Sequence, residues 1–170
     1  MLKSIVIPRS VESIGEEAFQ FCGISNNIMD FHFENQSSLR LIGSKAFQNC
    51  FIANFSLPPN VEYIYNNTFF YCKKLVIFTV PENSSLISIG DRAFCSCEKL
   101  ITFMCMKEIQ SIGKYAFAKC FKLSHFYYYG TKEPELGKDI FKECVSLKEI
   151  FVLAKYKNNS FGGIKITRHT

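Results

Sequence analysis

The sequence has no tryptophan, only three histidines, and no apolar run long enough to cross a membrane. A helical span needs roughly 18 or more consecutive apolar residues, whereas the longest apolar runs here, such as residues 75–78, suit β-strands. The N-terminus lacks the apolar core and cleavage site of a secretory signal peptide. We therefore expect no membrane insertion by this segment. Three situations stay open: an intracellular protein, a piece of a longer chain, or export by another route.

Motifs for catalysis and cofactor binding are also missing. Neither a P-loop nor a Gly-x-Gly-x-x-Gly motif occurs, so nucleotide chemistry has no support. No cysteine or acid accompanies His32, His125 or His169 at the spacing of a metal site or a catalytic triad. The charge balance is 20 basic against 15 acidic residues without a run of like charges, which does not favour a nucleic-acid partner. The sequence thus predicts no catalytic residue, no metal and no cofactor.

What the sequence does contain is a repeat. The unit Ile-Gly-x-x-Ala-Phe-x-x-Cys, or a close variant of it, occurs six times, with Phe three residues before Cys in every copy. Successive phenylalanines lie 28, 22, 25, 23 and 24 residues apart, so length changes fall between one Cys and the next Ile. The repeated residues are Phe19, Phe47, Phe69, Phe94, Phe117 and Phe141, with Cys22, Cys50, Cys72, Cys97, Cys120 and Cys144. One unit cannot bury its apolar face alone, so we predict stacked copies that form a ladder of these side chains.

Each unit is predicted to be a strand, a corner and a helical turn. Short β-rich runs, often ended by Pro, predict strands centred near residues 5, 32, 56, 78, 103, 127 and 151. Ala, Phe and Cys at i, i+1 and i+4 predict single helical turns at 16–22, 44–50, 66–72, 91–97, 114–120 and 138–144. The glycine after Ile suits a corner with positive φ. We expect the repeat cysteines to be buried free thiols, because neighbouring helical turns would lie too far apart for disulfides.

The predicted fold class is α/β. It is a leucine-rich-repeat right-handed solenoid of about six repeats over residues 1–153, with one parallel β-sheet face and short helical turns opposite. Residues 154–170 form a C-terminal tail or an improvised cap, since Phe161 and residues 164–166 are apolar enough to fold back. The chain begins on a strand without a polar capping unit, and we therefore also expect self-association through uncapped ends.

This repeat closely resembles the BspA-like, or treponemal-type, leucine-rich repeat. The resemblance rests on the unit above followed by Leu-x-x-Ile/Phe-x-Ile/Val-Pro, and it covers roughly residues 2–153. It implies a cell-surface or secreted protein of the kind associated with adhesion to host cells, extracellular matrix or other microbes. It supplies no catalytic residues, and it does not give the ligand. A cytoplasmic scaffold for protein–protein interaction stays open as the alternative.

Two sets of residues are candidate sites. Because side chains alternate along a strand, the residues next to the inward ladder residues point outward. Toward the C-terminus these outward residues become apolar and aromatic, as is typical of interaction surfaces. We expect a protein or glycan partner to dock on this stripe, which consists of Ile77, Met104, His125, Tyr127, Tyr129 and Phe151. Asn-x-Ser/Thr sequons make five asparagines candidate glycosylation sites: Asn35, Asn54, Asn66, Asn83 and Asn158. The alternative is that these sequons arise by chance, because Asn and Ser are common in turns.

Overall fold

A computed structural model describes residues 3–23 and 28–169. Met1, Leu2, residues 24–27 and Thr170, which belong to the predicted ranges 1–153 and 154–170, lie outside the described residues. In chain order the strands are β1 (Ser4–Ile7), β2 (Ser13–Ile14), β3 (Asp30–Phe33), β4 (Leu41–Ile42), β5 (Asn54–Ser56), β6 (Tyr63–Ile64), β7 (Ile77–Thr79), β8 (Ser88–Ile89), β9 (Thr102–Cys105), β10 (Ser111–Ile112), β11 (His125–Tyr128), β12 (Glu135–Leu136), β13 (Ile150–Leu153), β14 (Ser160–Phe161) and β15 (Ile164–His169).

These strands build a β-solenoid of about six coils with three hydrogen-bonded sheets, two of them long. The wider sheet runs β5-β7-β9-β11-β13-β15 with parallel pairing, and β1 and β3 form a parallel pair beside it. The predicted strand centres and the parallel pairing are confirmed. A single sheet is wrong, because the residues before the repeat glycine also pair in parallel as β2-β4-β6-β8-β10-β12. Each strand of this second sheet has only two residues, too short to show an alternating pattern in the sequence.

The predicted helical turns are wrong. In the part of the chain that the structure describes there is no helix, and the repeat segments are successive β-turns. Within one coil Ala46 N–H donates to Gly43 O and Cys50 N–H donates to Phe47 O, while Phe47 N–H donates to Thr68 O of the next coil at 2.9 Å. A lone helical turn fixes several residues for one hydrogen bond. Stacked turns instead give alternate N–H groups a partner in the neighbouring coil, and six copies extend that ladder.

This turn geometry uses the left-handed backbone region at two positions in every coil. The residues concerned have φ between 53° and 64°, and they are Glu17, Phe21, Lys45, Asn49, Asn67, Tyr71, Arg92, Ser96, Tyr115, Lys119, Asp139 and Glu143. The repeat glycines are not among the residues with positive φ, so the predicted reason for them is wrong. A Cβ on Gly113 would lie 2.5 Å from Asp91 N, which shows that glycine is needed for close stacking of coils.

Two interleaved phenylalanine ladders fill the core. Neighbouring repeat phenylalanines are stacked, with ring centroids 5.2 Å apart for Phe47 and Phe69. A second ladder comes from the strands, and Phe55 packs edge-to-face against Phe47 at 5.1 Å and Phe69 at 4.9 Å. The quadrupoles of aromatic rings favour both arrangements. The turn segments therefore lie across the core from the wider sheet, held to it by direct ring contacts.

The repeat cysteines form a third ladder beside the phenylalanines. All eight cysteines are free, and each repeat thiol after the first donates to the carbonyl of Phe in the preceding coil, as Cys72 does to Phe47 O at 3.0 Å. The expected wide separation of the turns is wrong, since neighbouring turns hydrogen-bond directly. Burial raises the pKa of the Cys72 thiol to about 12 and that of the Cys97 thiol well above its ordinary value. These two thiols are therefore protonated at neutral pH and behave as small apolar groups.

Residues 154–169 continue the solenoid in a different form. β15 pairs in parallel with β13, and β14 folds back antiparallel onto β15. Phe161 is fully buried, with its ring 4.9 Å from Tyr128 and 5.8 Å from Phe126. The Glu133 carboxylate accepts from Gly162 N–H and from the Asn158 amide, which ties the tail to the last full coil.

Candidate functional site

The outward side chains of the wider sheet make one continuous surface, which we call the sheet face. Strand alternation decides its members, because inward residues such as Phe103 and Phe126 are fully buried while their neighbours point out. Parallel register then aligns the outward residues of successive coils in rows. Met104 lies beside Tyr127, and Tyr127 lies beside Phe151.

Ring contacts bring the C-terminal outward residues together as an aromatic cluster, which consists of His125, Tyr127, Tyr129, Phe151 and His169. Phe151 is its centre, with ring centroids 5.0 Å from Tyr127, 5.8 Å from His125 and 5.0 Å from His169. The rings partly cover one another, so Tyr127, Tyr129 and Phe151 are half-buried. Sequence reasoning missed His169, since only the pairing of β15 with β13 carries it to this surface.

The two non-aromatic members of the predicted stripe are exposed. Ile77 is 54% exposed and Met104 is 40% exposed. Register places Ile77 beside Thr102 and Thr102 beside His125, so Ile77 belongs to a different row from Met104. The predicted residues therefore occupy a two-dimensional patch rather than one line.

A groove of about 320 Å³ adjoins this patch. Met104, Met106 and Tyr129 provide apolar and aromatic walls, and Glu82, Lys107 and Glu108 provide charged ones. One carboxylate oxygen of Glu108 is buried and lacks a hydrogen-bond partner among the described residues. Sequence reasoning missed this groove, because its charged residues lie in turns after the strands and come together only when coils stack.

A second groove, of about 350 Å³, lies at the N-terminal half of the sheet face. Its lining includes His32, Glu34, Asn35, Ser56 and Pro58. This half is polar, in contrast to the aromatic cluster. The two halves thus offer different chemistry to a partner.

The five sequon asparagines are all exposed. Asn54 lies in β5 beside Ile77 on the sheet face, where a glycan would cover part of that surface. Asn66 accepts from Asp91 N–H at 2.8 Å, and the Asn158 amide donates to Glu133 at 3.1 Å. Exposure is a condition for modification, and whether glycans are attached stays a prediction.

Neither a metal centre nor a membrane span emerges from the described ranges 3–23 and 28–169. No three or more His, Cys, Asp or Glu side chains there are grouped so that they could hold a metal ion. The same ranges contain no helix that is long and apolar enough to cross a bilayer.

Comparison with known proteins agrees with the coil geometry. A family model described as the BspA type leucine rich repeat region matches six copies, over residues 1–124 and 83–170. The chain belongs to this family. The expected resemblance is therefore confirmed along the whole chain, and leucine-rich repeats of this kind generally bind proteins. No curated protein matches the sequence.

Solved structures share the fold of this BspA-type chain at low sequence identity. A leucine-rich repeat protein from Bacteroides ovatus is 20% identical, with a TM-score of 0.51 over 99% of this chain and 54% of the other. The pneumococcal vaccine antigen PcpA is 14% identical, with a TM-score of 0.58 over 99% of this chain and 69% of the other. The chain thus spans about half the length of the Bacteroides protein.

Proposed function

We propose that this chain is a non-enzymatic binding module of a cell-surface or secreted adhesion and recognition protein. It binds a protein or glycan partner, such as host cell or matrix material, through the C-terminal half of its sheet face. The observation that carries the proposal is the half-exposed aromatic cluster with Ile77 and Met104 beside it. Exposed apolar patches of this kind usually mark interaction sites, and Tyr is favoured at binding hot spots.

The adjoining groove supports a protein partner more than a glycan. Met104 and Met106 are adaptable apolar side chains that suit contact with protein surfaces. The carboxylates of Glu82 and Glu108 line the groove and would accept hydrogen bonds from an N–H or ammonium group of a partner. A lysine or arginine side chain with its apolar stem along the methionines would satisfy both features.

Binding to matrix laid down by cultured epithelial cells, with the cells removed, tests this proposal. The labelled chain is expected to bind saturably, and Tyr127→Ala with Phe151→Ala is expected to weaken binding about tenfold or more. The matched control is His32→Ala with Ser56→Ala, which alters the other groove. Thermal unfolding shows that both variants are folded. A larger loss from the His32 and Ser56 pair would place the binding surface at the N-terminal half instead.

An intracellular scaffold for protein–protein interaction is the second candidate. Eight free thiols favour it, since secreted proteins commonly oxidise their cysteines. Similarity to a vaccine antigen supports the surface location instead. Antibody staining of intact and permeabilised source cells separates the two: signal only after permeabilisation would contradict surface display.

A further inference from the structure

We infer that the turn side of the solenoid carries a second binding surface, for a linear sulfated polysaccharide. This surface lies across the core from the sheet face, on the stacked turns of the second to sixth coils. It consists of two adjoining grooves that share Tyr71, which we call the basic grooves. Their volumes are about 200 and 340 Å³.

Cationic side chains dominate both grooves. Lys73, Lys74 and Lys99 line one, and Arg92, Lys119 and Lys142 line the other. Only two acids, Glu98 and Glu143, line them. Glu98 pairs with Lys73 at 2.8 Å, and Glu143 is 3.9 Å from Lys119. The ion pairs found among the described residues do not include Lys74, Lys99, Arg92 or Lys142. The grooves therefore hold a concentrated excess of positive charge.

The backbone ladder fixes these cations in place. Arg92 N–H donates to Lys114 O at 2.9 Å, and Lys119 N–H donates to Lys142 O at 2.7 Å. In-register stacking repeats side chains about every 4.8 Å along the solenoid. Cations gathered on adjoining coils raise the local positive potential, which would attract an extended polyanion. A flexible loop would spread its charges apart, whereas this scaffold presents them preorganised.

The aromatic residues of the grooves favour a sulfated polysaccharide over a nucleic acid. The Arg92 guanidinium lies 5.5 Å and the Lys142 ammonium 5.8 Å from the Tyr115 ring centre. The Lys73 ammonium lies 4.4 Å from the Tyr71 ring centre. Nucleic-acid binding proteins use free ring faces to stack bases, and here cations occupy those positions. The surface therefore offers charge to sulfate groups and little stacking to bases.

Heparin binding by calorimetry at physiological salt tests this inference, with chemically desulfated heparin and a single-stranded oligonucleotide as competing probes. The wild-type chain is expected to bind heparin, with affinity falling as salt rises, and to bind the other two more weakly. Arg92→Asn with Lys119→Asn and Lys142→Gln is expected to weaken binding about tenfold. Asn suits the first two positions because it tolerates their positive φ.

The charge-matched control removes three exposed lysines elsewhere, by Lys132→Gln, Lys155→Gln and Lys157→Gln, and is expected to change the affinity less than about twofold. Tyr127→Ala with Phe151→Ala should leave heparin binding unchanged, so the two proposals fail independently. Absence of heparin binding, equal losses in the two triple variants, or tighter binding of the oligonucleotide would each overturn the inference. Thermal unfolding confirms that the variants are folded.

Discussion

Phenylalanine residues lie both in the core and on the sheet face, and the two positions have different roles. Phe94 is fully buried between its stacked neighbours Phe69 and Phe117, with ring centroids 5.3 and 5.2 Å away. Phe151 points outward and is half-buried only because other surface rings cover it. The same residue type therefore stabilises the fold at one position and offers a contact surface at the other.

Truncation of these two residues should have unequal effects. Phe94→Ala is expected to lower the free energy of unfolding by about 3–5 kcal/mol, the usual cost of removing a buried Phe side chain. Phe151→Ala should cost much less, since its ring leaves no buried cavity. Urea denaturation of the two variants measures the difference, and equal losses would contradict the outward assignment of Phe151.

Glycine at the repeat position should be indispensable only where another coil precedes it in the stack. A Cβ on Gly113 would approach Asp91 N to 2.5 Å, whereas one on Gly15 would meet nothing within 4 Å. Gly113→Ala is thus expected to cost about 1–3 kcal/mol through overpacking of backbone against backbone. Gly15→Ala is the matched control and should be nearly neutral. Comparable thermal unfolding of the two variants would rule out the close-stacking explanation.

At the scale of elements, the turns and the thiol ladder act together. Each turn supplies a carbonyl that accepts from the Cys thiol of the next coil, as Phe69 does from Cys97 at 3.2 Å. Burial holds the Cys72 and Cys97 thiols in the protonated form. A thiolate could not donate this hydrogen bond and would be unfavourable in apolar surroundings. The stability of the solenoid should therefore depend on pH in the alkaline range.

Stability should consequently fall above the ordinary thiol pKa. Burial raises the folded-state pKa of Cys72 to about 12, from the ordinary thiol value of 9.0 in the unfolded chain. Stability from this thiol is complete below pH 9.0 and is lost as pH rises toward 12, because only the unfolded state ionises in that window. The loss is about 1.4 kcal/mol per pH unit for each such thiol. Urea denaturation between neutral and alkaline pH measures it, and a Cys72→Ala variant with an unchanged slope would contradict the assignment.

At the scale of the whole molecule, the two ends differ. The first coil leaves Val6 58% and Phe21 60% exposed, and Phe19 is only half-buried where its counterparts are buried. The other end is covered by the tail, whose Phe161 is buried against Phe126 and Tyr128. Apolar side chains are therefore exposed at the first coil, whereas the tail buries Phe161 at the last one.

We propose that residues 154–170 act as a C-terminal cap. Phe161→Ala is expected to lower the free energy of unfolding by about 3–5 kcal/mol, because its ring closes the strand ladder. Lys157→Ala, in the exposed part of the same tail, serves as the control and should change little. An unaffected unfolding midpoint in the Phe161 variant would mean that the tail contributes no cap.

The apolar first coil should make the 170-residue chain associate with itself when it is produced alone. Analytical ultracentrifugation over a range of concentrations is expected to detect this association. Val6→Lys with Phe21→Lys should shift the chain toward monomer, since edge lysines block pairing of exposed strands. Val145→Lys is the control, as Val145 is equally exposed near the opposite end. A strictly monomeric wild-type chain would contradict the prediction.

The periodic residues by themselves determined the repeat, the parallel strands and the inward ladders. Ile, Phe and Cys return at fixed offsets in six copies, and a unit that cannot bury its apolar face alone must stack. The same alternation identified Tyr127 and Phe151 as outward residues. Information of this kind is local, since it depends on spacing within one unit and on the apolar character of each position.

The tertiary structure alone decided what depends on contact between coils. Stacked turns replaced the expected helices because hydrogen bonds to the next coil, such as Phe47 N–H to Thr68 O, are worth more than one helical turn can offer. Contact with the preceding coil, rather than positive φ, explains the repeat glycines. The second sheet, the groove beside Met104, the arrival of His169 and the convergence of Arg92 and Lys142 on Tyr115 likewise join residues of different coils. Spacing within one repeat does not indicate which side chains of the neighbouring coil will lie in contact. Those contacts depend on the register in which the coils stack.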